Sequence, residues 1–80
     1  MAILEIDTAE LLEISTARRL VRTGEAQTIR ERAGVSQQEI ACVLGVSGAS
    51  VSRWESHHRT PRADVAVRYA QLLRALKAHR

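Results

Sequence analysis

Hydrophobic positions recur along the chain with the period of an α-helix, and no run alternates like a strand for more than a few residues. The pattern therefore predicts an all-α fold. Residues that cap or break helices separate the periodic segments. The five predicted helices cover 8–22, 25–33, 37–44, 48–55 and a last segment of about fifteen residues that starts at Arg62 or Asp64.

The expected helix boundaries rest on specific residues. Asp7 and Ser36 are each followed three residues later by a glutamate, which is the pattern of a capping box. Glycines at positions 24, 34 and 45 follow the first three periodic segments, where a left-handed residue commonly ends a helix. Inward-facing positions are expected at Ile40, Ala41, Val43 and Leu44 in the third helix. In the last helix they are expected at Ala66, Tyr69, Ala70, Leu73 and Leu76.

The N-terminal segment has several interpretations. The apolar stretch before residue 7 is compatible with a short strand, an arm or a disordered tail. Helix 8–22 carries apolar residues along two lines, so one face can pack on the body while the other meets a partner. Completion of the core, dimerisation and binding of a different protein are all open. The two lines are Leu11, Ile14, Arg18, Val21 and Leu12, Thr16, Leu20.

Charge is distributed unevenly over the 80 residues, whose net charge is +3. Residues 1–25 hold three bases and five acids, whereas residues 26–80 hold nine bases and four acids. This asymmetry predicts a basic body that meets a polyanion and an acidic segment that does not. We expect an N-terminal arm and additional helix over 1–24, for core completion or dimerisation, and a separate basic domain over 25–80. Eleven of the twelve bases are arginine, which suits phosphate and base-edge contacts.

Several classes of protein are disfavoured. No apolar run reaches the roughly 18–20 residues of a membrane helix. A single cysteine, Cys42, fits a reducing compartment, so a cytoplasmic location is expected. No nucleophile with a partner base and no phosphate loop is recognisable, so the chain is not expected to be an enzyme or to need a cofactor. Cys42, His57, His58 and His79 lack the spacing of metal ligands, and no metal site is predicted.

Residues 36–55 meet the requirements of a helix-turn-helix. Ala41 is small where a second helix would cross the first, and Gly45 tolerates the positive φ of a sharp turn. The second helix begins after Ser47 and has its N-terminal end exposed, which is the end that enters the major groove of DNA. Anchoring residues hold both helices to the core, and they are Ile40, Ala41, Leu44, Val51 and Trp54.

At this motif the chain resembles the Cro/repressor-type helix-turn-helix family of phage repressors and bacterial regulators, over about residues 25–73. The resemblance implies a compact five-helix, repressor-like domain. It also implies binding of double-stranded operator DNA, usually as a homodimer, and regulation of transcription. It rests on Ile29-Arg30, Gly34-Val35-Ser36-Gln37, Glu39-Ile40-Ala41, Leu44-Gly45-Val46-Ser47, Val51-Ser52-Arg53-Trp54-Glu55 and Arg59-Thr60-Pro61-Arg62.

The resemblance also implies residue roles. Base edges would be met by Arg53, which suits the O6 and N7 of guanine, by Ala49 at a thymine methyl and by Ser47 and Ser50. Gly48 stands among these positions without a side chain, so it contributes close approach or nothing. Arg30 and Glu55 would pair and orient the recognition helix. Phosphates would be met by Ser36, Gln37, Ser56, His57, His58, Arg59 and Arg62.

One position departs from the family, which usually has a glycine shortly after the glutamate. Here Ser56-His57-His58 follows Glu55, so either the helix continues or a histidine adopts the left-handed conformation. The leading hypothesis is a Cro-like repressor, and the alternative is an antitoxin-type protein that binds a partner protein and its own operator. Copurification of a basic partner would favour the alternative, and tight DNA binding by the isolated chain would favour the repressor.

Overall fold

The computed structural model describes residues 5–79, which form five α-helices and no strand. The predicted all-α fold is confirmed, and the observed helix ends lie within about two residues of the predicted ones. The helices are α1 (Thr8–Thr23), α2 (Glu25–Arg32), α3 (Gln37–Leu44), α4 (Gly48–Glu55) and α5 (Ala63–Ala78).

Side chains cap three of the helix starts as expected. The Asp7 carboxylate accepts a hydrogen bond from the Glu10 amide at 2.8 Å. Ser36 and Glu39 form a complete capping box, in which each side chain accepts from the other residue's backbone amide. The hydrogen bonds from Ser36 hold the pKa of Glu39 below its usual value. These caps fix where α1 and α3 begin, and the Ser47 hydroxyl does the same for α4.

Two glycines close their helices with the same hydrogen-bond pattern. Gly34 and Gly45 have φ of 73° and 72°, in the left-handed region. After each glycine, the next amide bonds to a carbonyl five residues back, from Val35 to Arg30 and from Val46 to Ala41. This is the Schellman motif, which satisfies carbonyls at a helix end while turning the chain. The turn at Gly45 sends α4 across α3.

The segment after Glu55 uses a histidine where the other two endings use glycine. His57 has φ of 67°, and α4 ends rather than continuing. The His57 amide bonds to Trp54 O at 3.1 Å and the His58 amide to Arg53 O at 2.8 Å, again a Schellman motif. Of the two alternatives left open by the sequence, the strained histidine is the observed one. This conformation costs a residue with a side chain about 1–2 kcal/mol.

The core lies where α5 crosses the other helices. α1 packs chiefly on α5, and α3 packs chiefly on α4. Tyr69 and Leu73 of α5 and Val51 of α4 are fully buried, and the rings of Trp54 and Tyr69 lie 5.3 Å apart. Burial raises the pKa of Tyr69, so its hydroxyl is neutral at physiological pH. The residues expected to anchor the helix-turn-helix are all buried, namely Ile40, Ala41, Leu44, Val51 and Trp54.

Three apolar residues on helix faces that were expected to be apolar are exposed to solvent, namely Leu11, Leu12 and Val43. Val43 was predicted to face inward but is 62% exposed, because the shallow packing of the short α3 buries only a narrow stripe. On α1 the buried residues are Ile14 and Val21 of one predicted line, Leu20 of the other, and Ala17 between them. Leu11 and Leu12 are 58% and 62% exposed. One turn of α1 therefore presents two leucines to solvent.

Two arginines of α5 have partners on other helices. Arg74 makes a two-pronged ion pair with Glu13 of α1, and Arg68 donates to the carbonyl of Val43.

Met1 to Leu4, which hold most of the predicted N-terminal arm, and Arg80 lie outside the described residues. Across residues 5–79, every helix falls short of the length and apolar character needed to cross a membrane.

We expect His57→Gly to raise the free energy of unfolding by about 0.5–1 kcal/mol. Glycine adopts a positive φ without the side-chain clash, so the substitution removes the strain energy of the folded state. This strain energy is larger than the free-energy cost of the greater backbone entropy that glycine gives the unfolded chain. Urea denaturation followed by Trp54 fluorescence measures the change. His58→Gly is the matched control, because φ at this position is not positive and the substitution relieves nothing. A lower stability for His57→Gly than for the wild type would contradict the interpretation.

Candidate nucleic-acid interface

The recognition helix α4 has one face in the core and one face in solvent. Val51 and Trp54 are buried, whereas Ala49 and Arg53 are exposed. Within residues 5–79 no hydrogen bond or ion pair engages the Arg53 side chain, so its guanidinium is available to an external acceptor. The Ser47 hydroxyl accepts from the Ser50 amide at 3.1 Å and lies 3.0 Å from the Ser50 hydroxyl.

A side chain from α3 occupies the space beside Gly48. A Cβ built on Gly48 would lie 2.4 Å from Oε1 of Gln38, so the carboxamide fills the place of the missing side chain. Gln38 is itself exposed. Sequence reasoning did not single out Gln38. The feature of the sequence that could have indicated this contact is Gly48 at the start of a helix. Glycine is a poor helix former, and its lack of a side chain allows a neighbouring side chain to come close.

A cluster of three side chains ties α4 to the helices before it. Arg30 of α2 contacts both carboxylate oxygens of Glu55, from Nε at 2.7 Å and from Nη2 at 2.9 Å. Gln37 of α3 donates to Glu55 at 2.9 Å, and Arg30 also donates to the carbonyl of Val35 at 3.0 Å. The side chains of Arg30 and Glu55 are only 12% and 4% exposed. The carboxylate raises the pKa of Arg30, and the pair sets the angle of α4.

Most of the polar residues that were expected to meet phosphate already have internal partners. Gln37 bonds to Glu55, and the Ser36 hydroxyl is part of the α3 capping box. The Ser56 hydroxyl bonds to Ser52 O at 2.9 Å and lies 2.9 Å from Nδ1 of His58. The second amide hydrogen of Gln37 and the lone pairs of the hydroxyls remain available to an added ligand.

The loop between α4 and α5 exposes four basic side chains, namely His57, His58, Arg59 and Arg62. A shallow groove of about 250 Å³ joins this loop to the recognition helix. Arg53 and Ser50 line one side of the groove, and Arg59, Thr60 and Arg62 line the other. Potential base-reading and phosphate-binding residues therefore share one continuous surface.

A second groove lies between the same loop and α1, with a volume of about 350 Å³. Arg18 sits in it and donates two hydrogen bonds to the carbonyl of Pro61, at 3.2 and 3.3 Å. Arg22 of α1 also lines the groove, together with His57 and Arg59 of the loop. Sequence reasoning treated this segment as acidic and missed both α1 arginines. The signal was the concentration of Arg18, Arg19 and Arg22 at the C-terminal end of the helix.

Other kinds of site receive less support from the described residues. Within residues 5–79 no three His, Cys, Asp or Glu side chains converge as metal ligands, and Cys42 is exposed on α3. A third groove, of about 580 Å³, lies between α2 and the end of α5, and its described lining contains none of the predicted DNA-contacting residues.

A sequence model of the helix-turn-helix family matches residues 27–76, which is more than half of the chain. Comparison with curated proteins and with solved structures finds no match. The chain therefore belongs to the Cro/repressor-type helix-turn-helix family, and the resemblance seen in the sequence is confirmed. This is a family of DNA-binding transcription regulators rather than of enzymes. The match covers α2 to most of α5 and leaves α1 outside it.

We expect Glu55→Ala to lower the free energy of unfolding by about 3 kcal/mol, because it leaves the Arg30 charge buried without its partner. Glu13→Ala removes the corresponding partner of the exposed Arg74 and should cost less than about 1 kcal/mol. Urea denaturation of both variants tests the difference. If Glu55→Ala and Glu13→Ala lower the free energy of unfolding by the same amount, the Arg30–Glu55 pair does not hold the recognition helix to the body.

Proposed function

We propose that the protein is a sequence-specific, Cro-like repressor that inserts α4 into the major groove of double-stranded DNA. The observation that carries the proposal is the division of α4 into a buried face, with Val51 and Trp54, and an exposed face that ends in the unpartnered Arg53. The Arg30–Glu55 pair holds this helix at a fixed angle, so the exposed side chains are preorganised for a groove.

Arg53 is the main base-reading residue in this proposal. Its guanidinium matches the O6 and N7 acceptors of guanine, a contact that discriminates by about 1–3 kcal/mol. Ala49 contacts a thymine methyl, and Ser50 and Ser47 donate to bases or to nearby phosphates. Gly48 contributes no side chain, and because the Gln38 carboxamide fills the space beside it, bare backbone is not presented to the bases at this position. Because few side chains on this helix can read bases, sequence-dependent DNA shape supplies part of the specificity.

The phosphate contacts flank the recognition helix on two sides. At the start of α3, Ser36 and Gln37 lie where backbone amides and the helix dipole attract an anion. On the other side, the loop presents Ser56, His57, His58, Arg59 and Arg62 to the second strand.

Two copies of the chain bind one operator as a homodimer in this proposal, and the half-sites of a palindrome lie about one helical turn apart. Residues 25–80 form the DNA-binding domain, and within the additional segment 1–24 the helix α1 completes its core. The cytoplasm of a bacterium, or a phage-infected cell, is the proposed location.

A second candidate is an antitoxin-type protein that binds a partner protein as well as its operator. The observation that favours it is the exposure of Leu11 and Leu12 on α1, next to the exposed acidic residue Glu10. An apolar pair with an acidic neighbour suits a basic protein surface. The same two leucines also suit a second copy of the chain.

Selection of bound sequences from a random duplex pool tests the proposed function. We expect a palindromic preference with a guanine that depends on Arg53. In a gel-shift series, Arg53→Ala should weaken operator binding by about 1–3 kcal/mol and relax specificity at one base pair of each half-site.

Arg32→Ala is the matched control, since Arg32 is exposed on α2 and lines neither groove beside α4. An Arg53→Ala variant with unchanged affinity and preference would exclude the role given to this arginine. If no sequence is enriched and a basic protein copurifies instead, the antitoxin-type candidate is favoured.

A further inference from the structure

We infer that the additional helix α1 is part of the DNA-binding surface and that Arg22, with Arg18 behind it, binds a backbone phosphate beyond the reach of the helix-turn-helix. The inference rests on the proposed function. It concerns a helix that the family match leaves out and that belongs to the segment of negative net charge.

The first argument is the electrostatics of the groove between α1 and the loop. Its charged lining residues are Arg18, Arg22 and Arg59, and no acidic residue lines it. Three guanidinium groups around one opening of about 350 Å³ repel each other unless an anion joins them. The guanidinium groups are suited to the oxygens of a phosphate, which they bind in a forked geometry.

The second argument is continuity with the recognition helix. Arg59 and Thr60 line both the α1 groove and the groove that holds Arg53 and Ser50. A basic track therefore runs from the base-reading face of α4, across the loop, to Arg22 at the end of α1. A DNA strand whose bases are read by α4 continues along its backbone in this direction, and phosphates outside the major-groove contacts meet α1.

The third argument is that most acids of the N-terminal segment lie away from Arg22. Four of its five acids lie at or before Glu13, and Glu13 is paired with Arg74 of α5. The Arg74 guanidinium lowers the pKa of Glu13 through its hydrogen bonds. The fifth acid, Glu25, begins α2, and within residues 5–79 no ion pair joins it to Arg22.

The contacts of Arg18 give it a positioning role. Its two hydrogen bonds to Pro61 O fasten the loop to α1 and leave other guanidinium donors for a ligand in the groove. Pro61 is buried, so this attachment fixes the loop backbone as well as the arginine. Arg22 lies one turn further along α1 and is exposed. It is therefore the side chain that an incoming phosphate meets.

The test is the salt dependence of binding to the duplex that the wild-type protein selects. Removing one phosphate contact reduces the slope of log affinity against log salt by about 0.9. We expect Arg22→Ala to lower the slope by about this amount per bound chain and to weaken binding several-fold at low salt. Arg22→Lys, which keeps the charge, should retain the wild-type slope. The matched control is Arg19→Ala, since Arg19 is exposed on the same helix but does not line the groove.

Equal slopes for Arg22→Ala, Arg19→Ala and the wild type would overturn the inference while leaving the proposed function intact. If the wild-type protein does not bind duplex DNA, both the inference and the proposed function are wrong. A change of slope in Arg22→Ala that is accompanied by a changed base preference would also count against a phosphate contact, because backbone contacts weaken binding to all sequences alike. Urea midpoints of the three variants establish that each is folded at the salt concentrations used.

Discussion

The orientation of the recognition helix depends on one buried ion pair. Arg30 and Glu55 are 25 residues apart in the chain, and their contact joins α2 to the end of α4. α4 has only eight residues and would not be stable alone, so its direction comes from tertiary contacts. Trp54 and Val51 anchor its inner face, and the Arg30–Glu55 pair prevents it from rotating about that anchor. Gln37 extends the pair to α3, so the two helices of the motif are linked to the same carboxylate.

The position of Gln37 connects this cluster to DNA binding. Its carboxamide donates one hydrogen bond to Glu55 and keeps one further N–H. In the proposed complex this N–H donates to a DNA phosphate, so Gln37 links the DNA backbone to the Glu55 carboxylate. The α4–α5 loop is also held by internal hydrogen bonds. They are those of the Schellman motif at His57 and those that Arg18 donates to the carbonyl oxygen of Pro61. In the proposed interface both flanks of α4 are therefore held by internal contacts, which reduces the entropy cost of binding DNA.

The sequence predicted the five helices and their caps, because capping boxes and glycine endings are local signals. The Arg30–Glu55 pair was implied by the family resemblance, since no local pattern shows that residues 25 apart in the chain meet. It left open how α4 ends, since only tertiary packing decides whether His57 accepts a strained φ. It placed Val43 inward because periodicity does not show how narrow the buried stripe is. The groove around Arg22 and the approach of Gln38 to Gly48 join segments distant in sequence or on separate helices, and a pattern read along the chain does not reveal such proximity.

The central claim is that α4 and its two flanks form one DNA-binding surface. The most direct measurement is titration of the isotopically labelled chain with its selected duplex, followed by backbone amide chemical shifts. We expect the largest changes at residues 47–53, at the start of α3 and in the 56–62 loop, with a further change near Arg22. Changes confined to the exposed leucine pair of α1, or a duplex that leaves the amides of α4 unperturbed, would contradict the claim.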